Sequence, residues 1–293
     1  MAVIKDVHCF FRKDGFELAA RFTLLTLLLA QVGNYFLRPF ILLVAALGLL
    51  LPHGYRQRPL WLVLCFFTSF RVLYEWPMAD NHSYLLALWC LALSIACCSK
   101  APSQILANNS RILIGLVFLL ASAQKIISPD YLDGTFFRYL FLADNRFEDF
   151  AVLFGNISYQ QIDNARVLLE SSQFSPGTVN DDIVPVSEEF HRLVILSTWW
   201  NLLDQLVIAC CFLAPVNSGL HKSRDVMLQI FCITAYAVAP VPGFGWLLIS
   251  MAMAQTVTTD RVRIAYFLVF FVVLFYYEIP WAKILVDLLD KGN

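Results

Sequence analysis

Nine apolar runs, bounded by charges or by Pro and Gly, leave this 293-residue chain few ways to fold. They lie near 22–37, 39–52, 60–77, 82–98, 111–127, 192–214, 225–240, 243–256 and 263–280. A bilayer core takes about 20 helical residues per crossing, and it forces backbone polar groups to be satisfied within the segment. Composition agrees: 59% of residues are hydrophobic and 15% are charged, and mean hydropathy is +0.66, outside the range of soluble globular domains. The expectation is an all-α, polytopic transmembrane helical bundle of about eight or nine spans. It forms a single integral membrane domain over 1–293.

Two breaks refine that reading. Asn34 and Arg38 fall near the middle of 22–51, where a hairpin costs less than burying a guanidinium. Pro240-Val241-Pro242-Gly243 interrupts any continuous helix between Val226 and Val257, because each proline removes a backbone donor.

Basic residues accumulate on cytoplasmic loops, and alternate loops here hold 12 of the 21 Lys and Arg. The opposite side, apart from the long polar stretch, holds only Arg38, Lys283 and Lys291. The amino terminus is therefore expected in the cytoplasm and the carboxy terminus outside. Residues 1–21 carry Asp6, Asp14 and Glu17 and do not read as a secretory signal, so the first apolar run is the expected insertion signal. The acidic stretch of about 143–190 becomes an external loop, either a lid or a solvated connector. It shows short helical patterning at 147–154 and 162–169 and a turn at Ser175-Pro176-Gly177.

Seven of the eight cysteines lie in or beside apolar runs with no C-x-x-C spacing, and they read as small core fillers. No metal-ligand spacing, phosphate-binding glycine loop or basic aromatic surface for nucleic acid is present. The expected partners are membrane lipid and a lipid-like small molecule.

Ionisable side chains inside apolar runs are costly and therefore informative. Arg71 and Glu75, four residues apart on one helical face, fall in the outer half of their span. His82 opens the next run from the same side. Lys125 lies beyond Arg111 by roughly 21 Å at 1.5 Å per residue, in the outer third of a core about 30 Å thick. Glu278 reaches a comparable depth, while Asn201, Asp204 and Gln205 share one face nearer the middle. Each has an ordinary alternative role: Arg71 with Glu75 as a neutralising pair, Lys125 snorkelling to headgroups, His82 capping a helix, Asp204 hydrogen-bonded in the core. Convergence of four spans on one depth favours a shared site.

Two stretches carry a resemblance. Asn81-His82-Ser83-Tyr84-Leu85 resembles the N-H-x-Y-L motif, and Lys125 to Gly134 resembles the lysine, apolar, Asp/Ser, x, Asp, aromatic, x, acid, Gly stretch, of the horizontally transferred transmembrane (HTTM) family. That family includes the membrane domain of vitamin K-dependent gamma-glutamyl carboxylase. The specific likeness covers about 80–134. It implies chemistry on the lumenal side, in which a lysine base deprotonates a reduced isoprenoid quinone and a histidine stabilises a carbanion. On this reading Lys125 and His82 are the catalytic pair, with Arg71, Glu75, Asp204 and Glu278 supporting. The carboxylases carry two adjacent lysines, the second being the base, and Ile126 stands at that second position. Their large lumenal domain has no counterpart in these residues. The expected function is therefore a carboxylase-like reaction on a quinol or other amphipathic substrate, or the same fold with that activity lost. The alternative is a non-enzymatic membrane protein (transporter, maturation factor or assembly subunit) using the same polar residues.

Overall fold

A computed structural model describes residues 14–30, 32, 35–171, 187–239, 241–255 and 260–290. Among the described residues the fold is all-helical, with fourteen α-helices, two 3-10 turns and no strand. The first five helices are α1 (Gly15–Leu29), α2 (Arg38–Leu50), α3 (Arg58–Tyr74), α4 (Asn81–Ala96) and α5 (Pro102–Ile127). Four short helices follow: α6 (Pro129–Leu132), α7 (Thr135–Ala143), α8 (Glu148–Gly155) and α9 (Tyr159–Ser171). The chain then forms α10 (Glu188–Leu213), α11 (Gly219–Val238), α12 (Pro242–Met253), α13 (Asp260–Glu278) and α14 (Trp281–Asp290).

Each of the nine apolar runs forms a helix, and the local chemistry sets the ends. Proline opens α2, α3, α5 and α12, where its missing N–H is no loss. Ser187 and Ser218 cap α10 and α11 by accepting the backbone N–H of Phe190 and His221. The turn near Arg38 separates α1 from α2, and the two pack together as a hairpin.

The count of crossings differs from the expected eight or nine. Among the described residues only α5 and α10 are individually long and apolar enough to cross a membrane; a third crossing arises if α13 and α14, bent by 59°, form one broken span. The apolar helices α2, α4 and α12 have 13, 16 and 12 residues. At 1.5 Å per residue they span about 18–24 Å, short of a core about 30 Å thick. The remaining candidates carry charge, as in Glu17 and Arg21 of α1, Arg71 of α3, or Lys222, Arg224 and Asp225 of α11.

The reason is clearest in α12, where every residue from Gly245 to Met253 is buried. A helix that is apolar all round is surrounded by protein or by lipid, and α12 lies against α1, α5 and α13. It is the centre of the larger apolar core, which also draws on α1–α5, α10, α11 and α13.

A second apolar cluster lies in the stretch expected to be a loop. Phe137, Phe141, Phe147, Ala151, Ile162 and Ala165 join Phe190 and Val194 at the start of α10. The patterned segments 147–154 and 162–169 correspond to α8 and α9. Acid residues there are matched rather than merely solvated: Arg166 lies 2.6 Å from Glu148 and 3.2 Å from Asp163. The solvated-connector alternative therefore fails for the described part of the stretch, while the Ser175-Pro176-Gly177 turn lies outside the described residues.

Candidate functional site

The two family-like stretches meet at one end of the bundle. Asn81, the first residue of α4, donates through Nδ2 to Gln124 Oε1 at 3.2 Å. Next to Gln124, Lys125 donates through Nζ to Gln205 Oε1 on α10 at 2.8 Å. Gln205 in turn donates to Asn201 Oδ1 at 2.7 Å, and Asn201 Nδ2 to Tyr131 Oη at 3.0 Å. The Lys125 ammonium stands 5.5 Å from the Tyr131 ring centroid, which closes the loop of contacts.

Local sequence explains this closure. Asn201 and Gln205 are four residues apart, so they share a face of α10, and α10 packs along α5. Ser128-Pro129 ends α5 and starts α6, folding Tyr131 back against Lys125. Gly134 then takes a left-handed conformation with φ 88° beside Val194, where a β-carbon would lie 2.8 Å from Val194 Cγ1. Conformation and close packing both call for glycine there.

Beside this loop lies an aromatic cavity of about 290 Å³, near the lower end for small-molecule sites. His82, Asn201, Asp204, Gln205 and Tyr236 supply its polar lining, and Phe136, Phe231 and Phe244 much of the rest. Trp200 and Thr234 border it, joined by a 3.3 Å hydrogen bond from the indole nitrogen to the hydroxyl. Two residues lining this space each carry a buried polar atom with no hydrogen-bond partner among the described residues: Asp204 through Oδ2 and Tyr236 through Oη. Such orphans are uncommon and call for an explanation. Gly245 admits the Tyr236 ring, since a β-carbon there would lie 2.6 Å from its Cε2.

A second cavity of about 190 Å³ shares His82 and Val241 with the first. It is lined by Arg71, Arg146, Tyr277 and the first turn of α12. Arg71 donates through Nε to both Glu75 oxygens at 2.9 and 3.0 Å. Arg146 donates through Nε to both oxygens of Asp144, at 3.0 Å each. Hydrogen bonds from Arg146 hold the Asp144 carboxyl below its usual range, and the same contact raises the Arg146 guanidinium above its own.

The structure thus gathers the sequence candidates unevenly. His82 and Asp204 line the aromatic cavity, and Lys125 reaches it through Gln205. Arg71 joins His82 at the second cavity, with Glu75 behind it. Glu278 is exposed at the end of α13 and lines neither cavity. Ile126 is 51% exposed, about 100° around the helix from Lys125. Ile126 is therefore not directed at Gln205 as Lys125 is.

Sequence reasoning missed Tyr236 and Arg146. Tyr236 sits in an apolar run, where one hydroxyl looks like any interfacial aromatic, and its proximity to Gly245 is a tertiary fact. Arg146 belonged to a stretch read as solvent-exposed. Comparison with known proteins returned no matching family model, no matching curated protein and no matching solved structure.

Proposed function

We propose that this chain is a multi-pass, HTTM-like membrane protein that takes an amphipathic, ring-bearing molecule such as a reduced isoprenoid quinone into the aromatic cavity. Lys125 serves as the base that withdraws a proton from a ring hydroxyl, His82 as a hydrogen-bond donor, and Asp204 with Tyr236 as orienting groups. The amino terminus is cytoplasmic and the carboxy terminus external, so the cavity end of the bundle lies toward the outer leaflet.

One observation carries this reading: the lining of an aromatic space beside Lys125 includes a carboxylate and a phenol whose buried oxygens lack a hydrogen-bond partner among the described residues. A ring bearing hydroxyl groups gives Asp204 a donor and Tyr236 an acceptor while its body packs on Phe136, Phe231 and Phe244. Among the described residues no carboxylate stands within ion-pair distance to hold Lys125 as an ammonium, and its Nζ donates to the neutral Gln205 amide, a bond the uncharged amine also makes.

The test uses purified full-length protein and decylhydroquinone, with binding read from quenching of tryptophan fluorescence, since Trp200 borders the cavity. Asp204→Asn and Tyr236→Phe are expected to weaken binding by roughly tenfold each, the worth of one buried polar contact. Lys125→Ala is expected to abolish base-dependent turnover and leave the fold intact. Wild-type affinity in both cavity variants overturns the assignment.

A binding or transport role draws support from a separate feature. The interrupted segment at Val241–Gly243 borders both cavities, and broken helices line substrate sites in transporters. Saturable binding without turnover of any quinol would select this role.

A further inference from the structure

The second cavity has a chemistry that the aromatic one lacks. Two guanidinium groups and one imidazole, from α3, from the 145–147 turn and from α4, converge on about 190 Å³. Glu75 and Asp144 bind the two arginines, yet neither carboxylate lines the space. Each therefore binds its guanidinium through part of its N–H set and leaves other N–H groups uncommitted, while Asp80 adds a further negative charge near Arg146. Arg71 commits its Nε, and Arg146 its Nε and Nη2. Both Nη groups of Arg71 and the Nη1 of Arg146 have no hydrogen-bond partner among the described residues. Asp80, 3.6 Å from His82, has a side chain 64% exposed and also lies outside the lining.

Two further facts point to negative charge. Arg71 is only 16% exposed, so its charge is poorly screened. The first turn of α12 borders the space at Val241–Gly243, presenting the positive end of a 12-residue helix. Leu29, Leu86 and Leu247 complete the wall with apolar surface.

We propose that this cavity is an anion subsite for the phosphate or carboxylate headgroup of an acidic amphiphile. The apolar part of that amphiphile runs past His82 and Val241 toward the aromatic cavity. The placement of the apolar part rests on the function proposed above; the headgroup site does not. Forked guanidinium groups suit phosphate and carboxylate because their paired N–H groups match paired oxygens.

Calorimetric titration of the full-length protein in detergent tests this with decyl phosphate, decanol, inorganic phosphate and decylhydroquinone. Wild type is expected to bind decyl phosphate about tenfold tighter than decanol, as charge-assisted bonds warrant. Arg146→Gln, and separately the neutral pair Arg71→Gln/Glu75→Gln, should each remove that preference, and Arg146→Gln should leave decylhydroquinone affinity unchanged. The Arg146 side chain is 55% exposed, so its variant should fold even where the buried pair variant does not. Displacement of decyl phosphate by millimolar inorganic phosphate would identify a free anion as a ligand of the subsite, and failure to displace it would identify the headgroup of a lipid. Both outcomes uphold the anion subsite. Equal affinity for decyl phosphate and decanol, or an unchanged preference in both variants, overturns it. Loss of decylhydroquinone binding alone would overturn the function proposed above and leave the subsite standing.

Discussion

Around α1, α4 and α12, buried polar groups close on one another. The Trp89 indole donates to Thr23 Oγ1 at 2.9 Å, and that hydroxyl donates to the Ala19 carbonyl at 2.7 Å. The Thr26 and Ser250 hydroxyls lie 3.3 Å apart, and Trp246 donates to the Phe270 carbonyl at 3.2 Å. At the cavity end the pattern reverses, with Asp204 Oδ2 and Tyr236 Oη buried and unpartnered. An unmet buried polar group costs about 1–3 kcal/mol; others occur elsewhere, as at Ser122 and His221, but Asp204 and Tyr236 are two that belong to one cavity lining, where a bound molecule can meet both.

The comparison is most severely tested in the centre. Trp246 is 1% exposed and stacks on Phe270 with ring centroids 5.1 Å apart. Trp246→Ala is expected to cost about 3–5 kcal/mol, read as a lowered midpoint for thermal or denaturant unfolding in detergent. A loss below about 1 kcal/mol would mean that α12 is not enclosed, because truncating a loosely held side chain costs little.

Smaller effects of opposite sign separate the two regions more sharply. Thr23→Val strands the Trp89 N–H and should destabilise by about 1–2 kcal/mol. Tyr236→Phe removes a hydroxyl that has no partner, so stability should hold or rise by up to about 1–2 kcal/mol while ligand affinity falls. Equal losses in both variants would erase the distinction, since they would mean that Tyr236 is as well satisfied as Thr23.

The helical segments themselves were readable in the sequence, because an apolar run between charges has the same signature wherever it is buried. That is also why the crossings were overcounted. Hydropathy cannot distinguish a helix enclosed by protein from one facing lipid, and α12 is enclosed. The polar end was partly readable: helix rise and loop charge lead to the expectation that Lys125 and His82 lie toward the same end, and their neighbours Gln124 and Asn81 are hydrogen-bonded. The bonds joining Asn81 to Gln124 and Lys125 to Gln205 span 43 and 80 residues of sequence. Periodicity reports only a residue's own helix face, so no local pattern contains them. Nor could it place Arg146, which reaches the second cavity only because 143–171 folds on a cluster of its own.

The smallest expected effect concerns how that arginine is held. Asp144 accepts both the Arg146 side chain and the Arg146 backbone N–H, the latter at 3.0 Å. Its carboxyl is depressed in the folded state, chiefly by the side-chain hydrogen bond. The stability it contributes is therefore complete above the unfolded carboxylate value of about 4 and is lost as pH falls through the lower folded value. With the Arg146 side chain 55% exposed, solvent and salt screen the pair, and its worth is about 0.5–1 kcal/mol. Asp144→Asn should lower the unfolding midpoint slightly at pH 7, and less in 1 M salt. At pH 3, below the unfolded carboxylate value of about 4, the difference from wild type should shrink, because protonation of the unfolded chain offsets part of the native pair's advantage. A deficit that persists unchanged at pH 3 and in high salt would assign the effect to lost capping of the 145–147 turn. The arginine would then be positioned by backbone geometry, and the second cavity would depend on the same closed hydrogen bonding that organises the core around α12.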